Sequence, residues 1–151
     1  MTAASGARTE RRLRIAVAVL ALAGLAVAGY LTWVHYAGLE PICAGGPGGC
    51  EKVQSSHYAE LAGVPVALLG AIGYAVILAS LALPAEAGRV VGALTALVGF
   101  GFSAWLTYME LFEIDAICQW CVASAAIMTA LALATATRLV PAEAGSAPRR
   151  S

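Results

Sequence analysis

The chain divides into long apolar runs separated by short polar ones. Four stretches carry no charged residue: between Arg14 and Glu40, Glu60 and Glu86, Arg89 and Glu110, and Asp115 and Arg138. Each has twenty or more positions, and about 20 apolar residues cross the roughly 30 Å hydrocarbon core of a bilayer as a helix. The pattern predicts spans over 15–36, 64–83, 90–112 and 117–137. Backbone groups in lipid need partners within the segment, so each span is read as a helix. The expected fold is therefore an all-α integral membrane protein, a four-helix bundle over 13–138. The first run follows basic residues as a signal peptide would. It is too long for one, however, and Leu-Thr-Trp-Val-His-Tyr after it is no small-residue cleavage site.

Composition agrees with this reading. Of 151 residues, 60% are hydrophobic and 12% charged, against about 45–50% and about 25% in soluble domains. Net charge is zero, so nothing points to nucleic acid. The distribution of charge is more telling. Arg8, Arg11, Arg12 and Arg14 precede span one, Arg89 lies between spans two and three, and Arg138, Arg149 and Arg150 follow span four. The opposite side carries only Lys52. The positive-inside rule places both termini in the cytoplasm of a multi-pass plasma-membrane protein, with loops 37–63 and 113–116 outside. The tails 1–12 and 139–151 are polar, small-residue-rich and expected to be disordered, and PAEAGR is expected to form a tight cytoplasmic turn. Gly24, Ala28, Gly70, Gly73, Gly92, Gly99 and Gly101 recur through the spans, as in helices that approach closely.

The first outer loop is the only long connection. Its glycine-rich half implies turns or mobility. Its second half, CEKVQSSHYAELA, is expected to form a short helix over the bundle mouth through Val53, Tyr58 and Leu61. Gly63 would end that helix, and Pro65 opens span two.

All four cysteines fall on or near the outer face, where disulfides form readily. By spacing they are two pairs, Cys43 with Cys50 and Cys118 with Cys121, although four cysteines allow three connectivities. At i and i+3 on a helix, Cys118 and Cys121 share a face with Cβ atoms about 5–6 Å apart, and a small distortion at a helix N-terminus closes that to disulfide range. Asp115 is a candidate N-cap, which would put Cys118 in the first turn, where unpaired N–H groups favour a thiolate. Cys121 would sit one turn deeper, against the bundle. That suits a relay with one thiol facing an aqueous donor and the other a lipid-soluble acceptor. The flexible hexapeptide between Cys43 and Cys50 would let that pair exchange with two destinations. A structural clasp, a four-cysteine zinc site and inert small hydrophobes are the blander alternatives.

Four spans, a cysteine pair in the loop after the first, and C-x-x-C opening the fourth make the chain resemble the vitamin K epoxide reductase family. The matching stretches are CAGGPGGCEKVQSSHYAELAGVPVALLGAIGY and CQWCVASA. The other four-helix disulfide generators carry C-x-x-C in the first outer loop, the reverse order. The resemblance implies a thiol–quinone oxidoreductase. It would re-oxidise a separate extracytoplasmic thioredoxin-fold partner and pass electrons to a quinone, of the menaquinone (vitamin K) or ubiquinone kind, with no metal. Carried over, Cys43 and Cys50 become the shuttle pair, Cys118 the thiol that receives electrons from the loop, and Cys121 the thiol facing the quinone. Ser56 matches a family serine near the redox centre. Val66 and Ala125 stand where other members place an asparagine and a tyrosine that grip the quinone, so the polar anchors differ here. Reduction of vitamin K epoxide by the same thiols, or a scaffold whose disulfides merely brace the loop, are the alternative functions. Trp105 and Trp120 are each read as an interfacial residue or a quinone-packing one. His35, Tyr36 and His57 are surface hydrogen-bonding groups or a proton relay. Glu110, Glu113 and Asp115 are read as a solvated acidic cluster.

Overall fold

The computed structural model describes residues 2–45 and 48–140. Gly46 and Pro47 of the glycine-rich loop, and residues 141–151 of the C-terminal tail, lie outside the described residues. Helix α1 runs Thr2–Ala37, α2 Gly49–Gln54, α3 Val66–Ser80, α4 Ala85–Met109 and α5 Gln119–Leu139, with a two-stranded hairpin of β1 Glu60–Leu61 and β2 Val64–Pro65 between α2 and α3. The long helices close a ring: α1 packs on α3 and α5, and α4 on α3 and α5. Three segments are long and apolar enough to cross a membrane, Ala4–Ala37, Ala85–Ile114 and Gln119–Leu139, and α3 is a shorter apolar helix. The interior is built on Val17, Ala21, Tyr74, Ile77, Ala96 and Leu131. Large apolar side chains such as Val19, Leu22, Leu97 and Leu133 are exposed on the outside of the bundle. A surface this apolar suits lipid, since helices that are hydrophobic all round belong in a core or a membrane. Gly24 lets α3 approach α1, because a Cβ there would run into the ring of Tyr74.

Several boundaries differ from expectation, each for a local reason. Segment 2–12, expected to be disordered, continues α1. Extending an existing helix avoids a new nucleus, and Glu10 is held by Arg138 at 2.8 Å and Arg89 at 3.7 Å. Arg14 adds a 2.8 Å bond to the Leu81 carbonyl. Arg14, Arg89 and Arg138 thus meet at one end of the bundle, opposite the cysteines.

The second helix, expected over 64–83, spans only 15 residues, about 22 Å at 1.5 Å per residue. Pro84 stops it by disfavouring helical backbone before it, and the chain turns over 81–84. PAEAGR is therefore not the turn, because α4 already begins at Ala85. The loop helix ends at Gln54 rather than at Gly63. Ser55 and Ser56 donate their hydroxyls back to the carbonyls of Glu51 (2.8 Å) and Val53 (2.7 Å), a competition with the helix ladder that serines commonly win. Ala62 and Gly63 both take positive φ, 53° and 81°, and form the two-residue turn of the hairpin.

Candidate redox site

At the cysteine end, α4 ends in a five-residue π-helical turn, Glu110–Ile114. Such turns are rare and favour functional sites. Asp115 follows with left-handed backbone (φ 51°), so it terminates α4 and does not cap α5. Position 118 is the N-cap itself, with extended backbone. Cys118 is therefore not in the first turn, as expected, but one position ahead of it.

The two middle residues of C-Q-W-C serve the loop, while its cysteines serve the interior. Gln119 Oε1 accepts from Ala44 N at 3.1 Å. Trp120 Nε1 donates to the Ile42 carbonyl at 2.8 Å, and its ring lies 5.1 Å from that of Tyr30. Tyr30 in turn accepts from Ile42 N at 3.0 Å. Trp120 therefore anchors the irregular segment leading to Cys43 and does not line the cavity that Cys121 faces.

Cys43 and Cys50 form a disulfide, and Cys118 and Cys121 are free thiols. All four meet in one cluster, with Cys50, Val53, Ile114 and Cys118 buried and Cys43, Tyr58, Trp120 and Cys121 packed on them. Helix α2 lies directly on the segment before α5. A Cβ on Gly49 would stand 2.9 Å from the Ile117 carbonyl, so glycine permits the approach that seats Cys50 beside Cys118. Burial is graded: Cys43 is half-buried, Cys50 is 3% exposed and Cys118 is fully buried.

Cys121 opens onto a cavity of about 580 Å³ between the long helices. Its wall is mainly apolar and includes Leu31, Leu69, Val98, Phe102 and Met128. Ser56, Val66 and Ala125, expected near the quinone, also line it. Val66 and Ala125 offer no side-chain hydrogen bond, and the Ser56 hydroxyl is committed to Val53. His35 and His57 stand apart: His35 pairs with Glu60 at 3.3 Å, tying α1 to the hairpin, and His57 contacts the Tyr58 ring. Trp105 packs on Phe102 and Tyr58.

Two polar groups on this wall, Gln54 and Tyr74, were not singled out from the sequence, and a third, Glu110, stands elsewhere than expected. Gln54 directs its amide at Cys121 Sγ (3.6 Å) and Cys118 Sγ (3.9 Å). Tyr74 OH bonds Ser124 at its carbonyl (2.9 Å) and hydroxyl (2.8 Å). Glu110 is 5% exposed and accepts from Cys118 N at 3.2 Å, so it does not belong to a solvated acidic cluster, whereas Glu113 and Asp115 are exposed. An acidic residue deep in an apolar helix is a usable signal for such a group. Gln54 carried no such mark. Among the described residues, no group of three or more His, Cys, Asp or Glu gathers as a metal site.

The Cys118 thiol is lowered from 9.0 to about 7, first by the hydrogen bond from the Cys121 thiol, with the Gln54 amide adding to it. The thiolate is the nucleophile in exchange. Its rate against a small disulfide is therefore expected to rise with pH and level off above about 7. A stopped-flow pH series on reduced protein checks this, and a rise that continues to pH 9 would contradict it.

Residues 15–136 match the sequence model of the vitamin K epoxide reductase family.

Proposed function

The chain belongs to the vitamin K epoxide reductase family, a family of redox enzymes, and from that premise we propose that it is a four-span thiol–quinone oxidoreductase. On this reading it oxidises the dithiol of a separate extracytoplasmic thioredoxin-fold protein and delivers two electrons to a membrane quinone. The observation that carries the reading is the graded cysteine cluster at the mouth of the cavity. Cys43 is the most accessible member of the loop disulfide, Cys50 and Cys118 are buried together, and Cys121 faces the cavity.

Exchange needs direct attack of a thiolate on a disulfide sulfur. The partner's thiolate attacks Cys43, and Cys50 leaves. Cys50 then attacks Cys118 of an oxidised Cys118–Cys121 pair, and Cys121 leaves as thiolate. The partner's second thiolate closes the partner's own disulfide and frees Cys43, which attacks Cys50 and releases Cys118 as thiolate. The reduced C-x-x-C pair then holds two electrons at the cavity wall.

A quinone fits the residues present. The volume falls within the roughly 300–1,000 Å³ of ligand pockets, the wall is mainly apolar, and Gln54, Tyr58 and the Tyr74–Ser124 pair are among the polar groups that line it. When bound, the quinone supplies the two-electron acceptor. Thiols standing free beside a disulfide suit transfer better than a purely bracing role.

Both termini are proposed to be cytoplasmic. The Arg-bearing end of the bundle supports this, since a basic end faces inward. Two measurements test the reading. Purified protein given a reduced thioredoxin-fold dithiol and a short-tailed quinone should form quinol and protein disulfide in equal amounts. In intact cells, a membrane-impermeant maleimide should label reduced Cys43. Absence of quinol formation sinks the activity, turnover of an epoxide instead moves it to epoxide reduction, and labelling only after lysis reverses the orientation.

A further inference from the structure

Gln54 reaches both free thiols, and the relay just outlined gives it no task. Its amide nitrogen lies 3.6 Å from Cys121 Sγ and 3.9 Å from Cys118 Sγ. Among the described residues no other side-chain N–H is hydrogen-bonded to either sulfur. Gln54 is half-buried and ends α2, and Cys50 lies one turn earlier on the same helix. Residues four apart share a helix face. One short helix therefore presents both the sulfur that attacks α5 and an amide directed at the α5 sulfurs. The surroundings supply little else to hold a thiolate. The cavity wall is mainly apolar, and the other titratable groups nearby are Tyr58, packed on the cluster, and Glu110, which accepts from Cys118 N at 3.2 Å. The ion pairs among the described residues, His35 with Glu60 and Glu10 with Arg89 and Arg138, bring no cation to the cluster. Burial and a neighbouring carboxylate both disfavour a bare thiolate. A neutral thiol is a weak acceptor, whereas a hydrogen bond to an ionised acceptor is roughly twice as strong as a neutral one. The Gln54 contact therefore gains most when a sulfur is charged.

Resting on the thiol–quinone reading, we propose that Gln54 stabilises the leaving thiolates of the relay: its amide donates to Cys121 as that sulfur departs, and then to Cys118 as that sulfur departs in turn. In the first displacement the Cys50–Cys118 bond forms, the Cys118–Cys121 bond breaks and Cys121 keeps the electron pair. In the second, the Cys43–Cys50 bond forms, the Cys50–Cys118 bond breaks and Cys118 keeps the pair. No proton moves in either step, so each leaves a charged sulfur, and both sulfurs lie within reach of the same amide.

The test is run without quinone or partner. Protein with the loop disulfide closed and both α5 thiols free is titrated in detergent by the ultraviolet absorbance of the thiolate, with fully oxidised protein as the blank. The wild-type midpoint is expected at about 7, where the Cys121 thiol and this amide hold Cys118. Gln54→Met keeps an unbranched side chain of similar length and removes the donor. Its midpoint should rise by about one pH unit or more, the size of one hydrogen bond to a charged group. Gln54→Glu keeps the shape and sets an acceptor against the sulfurs, so its midpoint should rise further. A role in packing alone would leave the midpoint in place. In a second measurement a small dithiol reduces the loop disulfide of fully oxidised protein, and the arrival of electrons at Cys118 and Cys121 is followed by rapid alkylation and mass spectrometry. Gln54→Met should slow that transfer about tenfold below pH 7, because the thiolates leave less readily. Closure of the Cys43–Cys50 disulfide and the thermal unfolding midpoint report that a variant is folded. If Gln54→Met misfolds, the near-isosteric Gln54→Glu decides. An unchanged titration midpoint, or an unchanged transfer rate, in a folded variant overturns the proposal. Failure of the wild-type protein to form quinol would sink the functional reading while leaving the titration and the transfer rate to decide this one.

Discussion

Cys121→Ala is expected to reduce quinol formation to the uncatalysed background and to let a Cys50–Cys118 disulfide accumulate. The two sulfurs belong to one buried cluster, and Gly49 permits the backbone approach that keeps them together. In this variant the Cys118 thiolate, still facing the Gln54 amide, attacks Cys50 and frees Cys43. No second thiol remains on α5 to displace Cys50. Two readouts follow: a Cys50–Cys118 cross-link in non-reduced peptides, and a Cys43 that becomes alkylatable. Cys118→Ala should lose turnover equally but lack the cross-link, because Cys121 lies about 4.5 Å further along the helix axis at 1.5 Å per residue and faces the cavity. A Cys50–Cys121 link in Cys118→Ala, with none in Cys121→Ala, would reverse the order of the two thiols.

Filling the cavity should be nearly as damaging to function while sparing the fold. Gly73 lines the cavity, and a Cβ there meets no atom within 4 Å. Gly73→Leu therefore places a side chain in the space read as the quinone site. It also removes a helix-interior glycine, which costs about 0.8–1.0 kcal/mol relative to alanine. The KM for quinone is expected to rise at least tenfold, with dithiol–disulfide exchange intact and the midpoint of thermal unfolding equal or higher. Gly24→Ala is the contrast. Its new methyl meets the buried Tyr74 ring, and overpacking of that kind typically costs about 1–3 kcal/mol, so the unfolding midpoint should fall. Unchanged quinone kinetics in Gly73→Leu would place the acceptor elsewhere.

Much of this protein was legible without its tertiary structure because lipid is a uniform solvent. Uninterrupted apolar runs mark segments that cannot leave backbone groups unpaired, which located α1, α4 and α5 and, with ragged ends, α3. The grouping of Arg14, Arg89 and Arg138 at one end followed from charge spacing alone. The two cysteine pairs were read from spacing, and the structure brings all four sulfurs into one cluster. Local hydrogen bonding, however, moved the boundaries: serine hydroxyls cut α2 short, and the π-helical turn and the αL residue Asp115 shifted the start of α5 past Cys118. The polar wall of the cavity was settled only by contacts distant in sequence. Gln54 reaches Cys118 across 64 residues, and Trp120 reaches Ile42 across 78. No periodicity encodes such a meeting, because it depends on where α2 lands once the helices have closed their ring. For that reason Trp120 left the cavity for the loop, and Glu110, which reads as one more acid at a solvated edge, became a buried group against the thiols.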